Sequence, residues 1–215
     1  MRALRLCGFM LAAVVLSAAS QSEQWTRTQA LAALVQPDPA QRLAGVERLA
    51  EIGSMADADR VLDRLGDSDP RVRLGAETSI WQIWNRSGDP EIDKLFAQGV
   101  QQMQAAALDD ALATFNEIVL RKPDFAEGWN KRATIYFLRG QYEKSLADCA
   151  EVFKRNPQHF GALSGAGQIH LQLGNPRRAL EFFRRAVEVN PNLDGAGQMI
   201  PLLEQHLRKL ERRSI

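Results

Sequence analysis

Asn156-Pro157-Gln158-His159-Phe160-Gly161-Ala162-Leu163-Ser164-Gly165-Ala166-Gly167-Gln168-Ile169 opens on an Asn-Pro pair that returns 34 positions later as Asn190-Pro191. Lys122-Pro123 lies 34 positions before it. Five more columns keep this period: Gly99, Ala133, Gly167; Ala106, Gly140, Gly174; Ala111, Ser145, Ala179; Phe115, Cys149, Phe183; and Leu95, Trp129, Leu163. The columns have a physical logic. Small residues in the first and third let two antiparallel helices approach closely, and large residues in the last two fill the space between helix pairs. Gly140 and Gly174 suit the left-handed backbone that ends a helix. Each proline stops the helix before it. A helix pair of this kind cannot bury its apolar face alone, so successive pairs must stack.

The rest of the chain agrees. β-branched residues are sparse and no segment alternates polar with apolar as a strand would, so an all-α fold is expected. A 45% apolar, 25% charged composition is that of a globular chain, and a net charge of +1 gives no electrostatic reason to expect nucleic acid.

The columns resemble the tetratricopeptide repeat (TPR) family. The second repeat matches its signature through Trp129, Ala133, Tyr136 and Pro157, and the third through Gly167, Ala179, Phe183, Ala186 and Pro191. The first matches through Gly99, Ala111, Phe115 and Pro123, with Gln102 and Ala106 where Tyr and Gly are usual, so its turn is expected to be irregular. The segment 156–169 also looks like that of uncharacterised exported TPR proteins of Gram-negative bacteria. The resemblance implies repeats at 92–125, 126–159 and 160–193 in a right-handed α-solenoid. Residues 194–213 then form a capping helix with Arg208, Lys209, Arg212 and Arg213 outward. The alternative, a basic patch for phospholipid or nucleic acid, is opposed by the interleaved Glu204 and Glu211.

Upstream, 26–90 has a different grammar. Asp69 is a suitable N-cap with Pro70 at the first helical position. Asp69-Pro70, Val72-Arg73 and Ala76 resemble a HEAT repeat. The short Ser87-Gly88-Asp89-Pro90 connection leads us to expect the two blocks to stack as one continuous solenoid.

In TPR arrays the first helix of each pair lines a concave groove. Carried over by position, this names Phe96, Val100, Met103 and Gln104 from repeat one. Repeat two supplies Glu127, Asn130, Thr134 and Phe137, and repeat three Ser164, Gln168, Leu171 and Gln172. The surface is nearly uncharged and rich in amides, which pair with both donors and acceptors of a peptide backbone. Phe96 and Phe137 are its expected anchors. Family members that clamp the acidic C-terminus of heat-shock proteins use Lys, Asn and Arg at positions occupied here by Phe96, Val100, Lys131, Gly161 and Gly165, so that role does not transfer.

No catalytic set assembles. There is no Gly-rich phosphate loop, His-Glu-x-x-His, Cys-x-x-Cys or Gly-x-Ser-x-Gly. His159, His170 and His206 lack metal-ligand spacing, His170 takes an aromatic column position where partial burial is expected, and Cys149 occupies a core column. Asp109-Asp110 opens a helix, where acids favour the dipole. No cofactor and no enzyme activity are expected.

Residues 1–20 read as a secretory signal: Arg2 and Arg5, the apolar run Leu6 to Leu16, then Ser17-Ala18-Ala19-Ser20. The run spans roughly 16 Å, about half of a ~30 Å hydrocarbon core, which argues against a membrane span. Cleavage would leave Cys149 alone. It would also leave 25 of the 27 basic residues against 26 acidic ones. The expected function is a periplasmic or secreted scaffold binding a protein or peptide in its groove. The alternative is a structural adaptor acting through convex or end surfaces, or by self-association, with Trp25, Trp81 or Trp84 exposed for contact.

Overall fold

The computed structural model describes residues 24–213. The segment read as a signal lies outside these. Among the described residues there are helices and connections only, and no helix is long and apolar enough to cross a membrane.

The N-terminal block holds α1 (Arg27–Ala33), α2 (Pro39–Ile52), α3 (Ala58–Leu62) and α4 (Pro70–Trp84), with 3-10 turns at Met55–Asp57 and Asp63–Gly66. Asp38 and Asp69 cap α2 and α4 through bonds from Ala40 N–H (2.9 Å) and Arg71 N–H (2.8 Å), each followed by proline at the first helical position. The same Asp-Pro device at Asp89 starts α5 (Pro90–Gln104). Arg42 grips the buried Asp67 with two bonds (2.8 and 2.7 Å) and holds the Gln36 and Pro37 carbonyls, tying the two Asp-Pro turns together. Arg86 closes the other end. Its guanidinium donates to the Ala50 and Glu51 carbonyls, both at 2.5 Å, satisfying the last turn of α2.

The repeats follow as three pairs: α5 with α6 (Leu108–Arg121), α7 (Ala126–Leu138) with α8 (Tyr142–Arg155), and α9 (Phe160–Gln172) with α10 (Pro176–Val189). α11 (Asp194–Arg213) packs Ala196, Leu203 and Leu207 onto Ala179, Leu180 and Phe183 of α10. Two sequence columns turn out to be partners. A Cβ built on Gly99 would stand 2.8 Å from the Phe115 ring, and one on Gly167 2.8 Å from Phe183. The middle repeat answers with a larger Ala133 facing a smaller Cys149. Glycine with phenylalanine and alanine with cysteine thus share the available volume.

The turn of repeat one is not irregular. Ala106 sits at φ 57°, beside 68° for Gly140 and 71° for Gly174. The Ala107 N–H reaches the Gln102 carbonyl at 2.9 Å, matching Gln141 to Tyr136 (2.9 Å) and Asn175 to His170 (2.8 Å). The motif forms at the cost of a side chain in left-handed backbone. Ala106→Gly should therefore raise unfolding stability by about 1 kcal/mol. An unchanged or lower urea midpoint would refute this.

The block arrangement departs from the expected end-to-end stacking. Trp84, 3% exposed, stacks on His159 (ring centroids 4.5 Å apart) and lies 5.1 Å from Phe160, so α4 docks on the start of α9. Trp81 meets Phe160 edge-on at 5.2 Å, and its ring fills the space a Cβ on Gly161 would need. Val189 and Leu193 pack on the same core, and Asn192 donates to the Leu65 carbonyl at 2.9 Å. The N-terminal block therefore folds back onto repeat three. This docking buries Trp84 and covers one side of Trp81. Trp84 is thus structural, whereas Trp81 and Trp25 are half-buried.

Candidate functional site: a groove walled by Trp81

The fold-back creates a walled groove. Asn130, Thr134 and Phe137 from α7 and Ser164, Gly165 and Gln168 from α9 line a cavity of about 330 Å³, with Glu77 and Trp81 of α4 as its wall. A second cavity of about 420 Å³ shares Ser164, Gln168 and Leu193 and continues past Leu171 to Met199 of α11. Both fall in the size range of ligand clefts. Glu77 and Asp194 bring the only Asp, Glu, Lys or Arg side chains to these two linings. Thr134 and Gln168 are exposed, whereas Asn130 donates to Glu127 Oε2 at 3.0 Å and is half committed.

The four positions from repeat one do not join this surface. Phe96 is 7% exposed and packs between Phe115 (5.9 Å) and Phe125 (5.4 Å), so it is core rather than anchor. Val100 and Met103 lean on the same core, and Gln104 is exposed at the end of α5. Gln172 is exposed beyond both cavities. Phe137 does reach the groove, with Tyr142 at 5.8 Å behind it.

Glu127 is not a groove ligand either. It is fully buried, and its Oε1 lies 2.5 Å from His159 Nε2, with Lys131 Nζ 3.6 Å from Oε2. The Ala162 N–H points at His159 Nδ1 (3.0 Å), so the ring caps α9 through Nδ1 and donates from Nε2 to Glu127. Burial alone pushes the Glu127 carboxyl up. His159, then Lys131 and Asn130, more than offset it and hold the group down at about 2. The pair fastens repeat two to repeat three directly beneath Trp84. A signal for it existed: the column Phe125, His159, Leu193 puts a histidine in an apolar position, two columns from Asp93, Glu127, Gly161.

Cys149 lies on the groove floor, and burial pushes its thiol up to about 12, so it remains an S–H group rather than a nucleophile. His170 is half-buried and stacks on Phe182 at 5.3 Å. Among the described residues no three His, Cys, Asp or Glu side chains converge as a metal site.

Paired helices at a 34-residue period, capped by a final helix, define a helical-repeat scaffold. The tetratricopeptide repeat family profile matches residues 124–192. A TPR repeat-containing protein of Rhizobium etli is 31% identical over 161 residues, covering 75% of this chain and 75% of that protein. This chain belongs to the tetratricopeptide repeat family. A small glutamine-rich tetratricopeptide repeat-containing protein of Dictyostelium discoideum is 31% identical over 46% of this chain, which spans only 30% of its length. Among solved structures, the first TPR of Spaghetti (RPAP3) bound to the HSP90 peptide SRMEEVD superposes with a TM-score of 0.52 at 20% identity, over 54% of this chain and 93% of that one.

Proposed function

We propose that this protein is an exported, non-enzymatic scaffold of the bacterial cell envelope that holds a protein or peptide segment in the groove of repeats two and three. The observation that carries the reading is the cavity uniting Thr134, Phe137, Ser164 and Gln168 under Trp81. Its floor is apolar with amides and hydroxyls at the edge, which suits an uncharged extended segment. An acidic C-terminus suits it poorly. Of the five clamp positions only Lys131 is cationic, and Glu127 engages it. Export is supported by the signal-like residues 1–20.

A photo-crosslinking residue at Thr134 or Gln168 should capture a partner that the same probe at Glu143 or Ala150, exposed on α8, does not. Thr134→Arg with Gln168→Arg should weaken that partner at least tenfold without loss of helicity. Capture from α8 alone, with binding unmoved by the arginines, would replace the groove reading with the adaptor one. N-terminal sequencing from a periplasmic fraction checks export, and an intact Met1 there would overturn cleavage.

A further inference from the structure

A different cavity, of about 270 Å³, lies where the N-terminal block meets the edges of the repeats, away from the groove. Met55, Trp84, Arg86 and Ser87 form one side; the turn Lys122 to Ala126 and the end of α8, Arg155-Asn156, form the other. Three cations and one carboxylate, Asp124, line it. α7 begins there at Ala126 with Phe125 at its N-cap, so no side chain caps its first amides. Glu127, in that first turn, is turned away to His159.

The buried donors at this cavity are unused. Asn156 is 6% exposed, makes no side-chain hydrogen bond, and its Nδ2 has no partner. Asn190, in the same column one repeat later, also has a buried Nδ2 without a partner, but its Oδ1 accepts from Asn192 and the residue does not line this cavity. Arg86 Nε is likewise buried without a partner, while the rest of its guanidinium holds α2. Lys122 is paired only with Asp124 at 3.3 Å on the rim, whereas Arg155 is held by Glu151 and the Pro123 carbonyl. An uncapped helix start, two idle buried N–H donors and a net positive lining share one chemistry, that of an oxyanion acceptor.

We propose that this junction binds a phosphate group, either as the free ion or as the end of a phosphomonoester. A doubly charged tetrahedral oxyanion accepts from several directions at once, matching donors that arrive from the α7 start, Asn156, Arg86 and Lys122. Because these come from both blocks, the ligand fastens the fold-back, and binding raises thermal stability.

The test titrates the full chain with inorganic phosphate, glycerol 3-phosphate and acetate at constant ionic strength, following Trp fluorescence and the melting midpoint. Saturable phosphate binding is expected, with acetate at least tenfold weaker. Tighter glycerol 3-phosphate marks an ester as the ligand, and equal or weaker binding marks the free ion. Asn156→Asp, which keeps the shape and replaces donors with a carboxylate, should abolish binding. Lys122→Gln, a surface change that leaves the fold intact by circular dichroism, should weaken it about tenfold. Non-saturable response, equal effects of acetate, or unaltered binding by Lys122→Gln would overturn the proposal.

Discussion

Trp84→Ala should lower unfolding stability by about 3–5 kcal/mol, and the midpoint of thermal unfolding by about 10 °C. The indole is 3% exposed and touches His159, Phe160 and Trp81, so its removal opens a cavity at the contact that joins the N-terminal block to repeat three. The loss should be concentrated at that joint. Urea unfolding followed by hydrogen exchange should show α2 and α4 losing protection before α6 and α8. A change below about 1 kcal/mol would mean that the tryptophan lies on a surface rather than in a joint.

Glu127→Ala should be comparably costly, about 3–5 kcal/mol, because it strands the His159 Nε2–H inside the protein and leaves Asn130 and Lys131 without their acceptor. Glu127→Gln gives the cleaner measurement. With its folded value held at about 2, below the usual 4.5, the carboxylate contributes stability that is complete above about pH 4.5 and is lost as pH falls toward 2. Wild type should therefore exceed Glu127→Gln most at neutral pH, and the two curves should converge near pH 2. Asp69, also held at about 2, is present in both proteins and cancels from the difference. Parallel curves across that range would contradict the assignment.

What could be read from the sequence followed locality. The 34-residue columns encode contacts between adjacent helices. Spacing does not show that Phe183 fills the gap against Gly167 inside its own helix pair rather than the space between pairs. The small residue at Gly167 and the end of α9 at Gly174 were legible from it. So was Asp69 with Pro70 at the start of α4. The fold-back was not, because Trp81 and Trp84 recur nowhere in the period and meet Phe160 across 76 positions or more of chain. Assigning groove residues by position placed Thr134 and Gln168 on one cavity. It failed for Phe96 because position within a repeat gives the helix face but not what covers it, and Phe125 covers it here. The wall made by Glu77 and Trp81 comes from outside the repeats and had no repeat signal to carry it.

The bond from Asn192 to the Leu65 carbonyl, bridging 127 positions, also bears on how the molecule comes into being. Arrays held by neighbour contacts alone can nucleate anywhere and grow in either direction, even while the ribosome is still working. Here the apolar side of α4 has to wait for α9 and the turn after α10 to be synthesised before it is covered. That long-range closure should slow folding relative to the repeats on their own. Until it happens, the nascent chain presents two bare indoles to whatever meets it first.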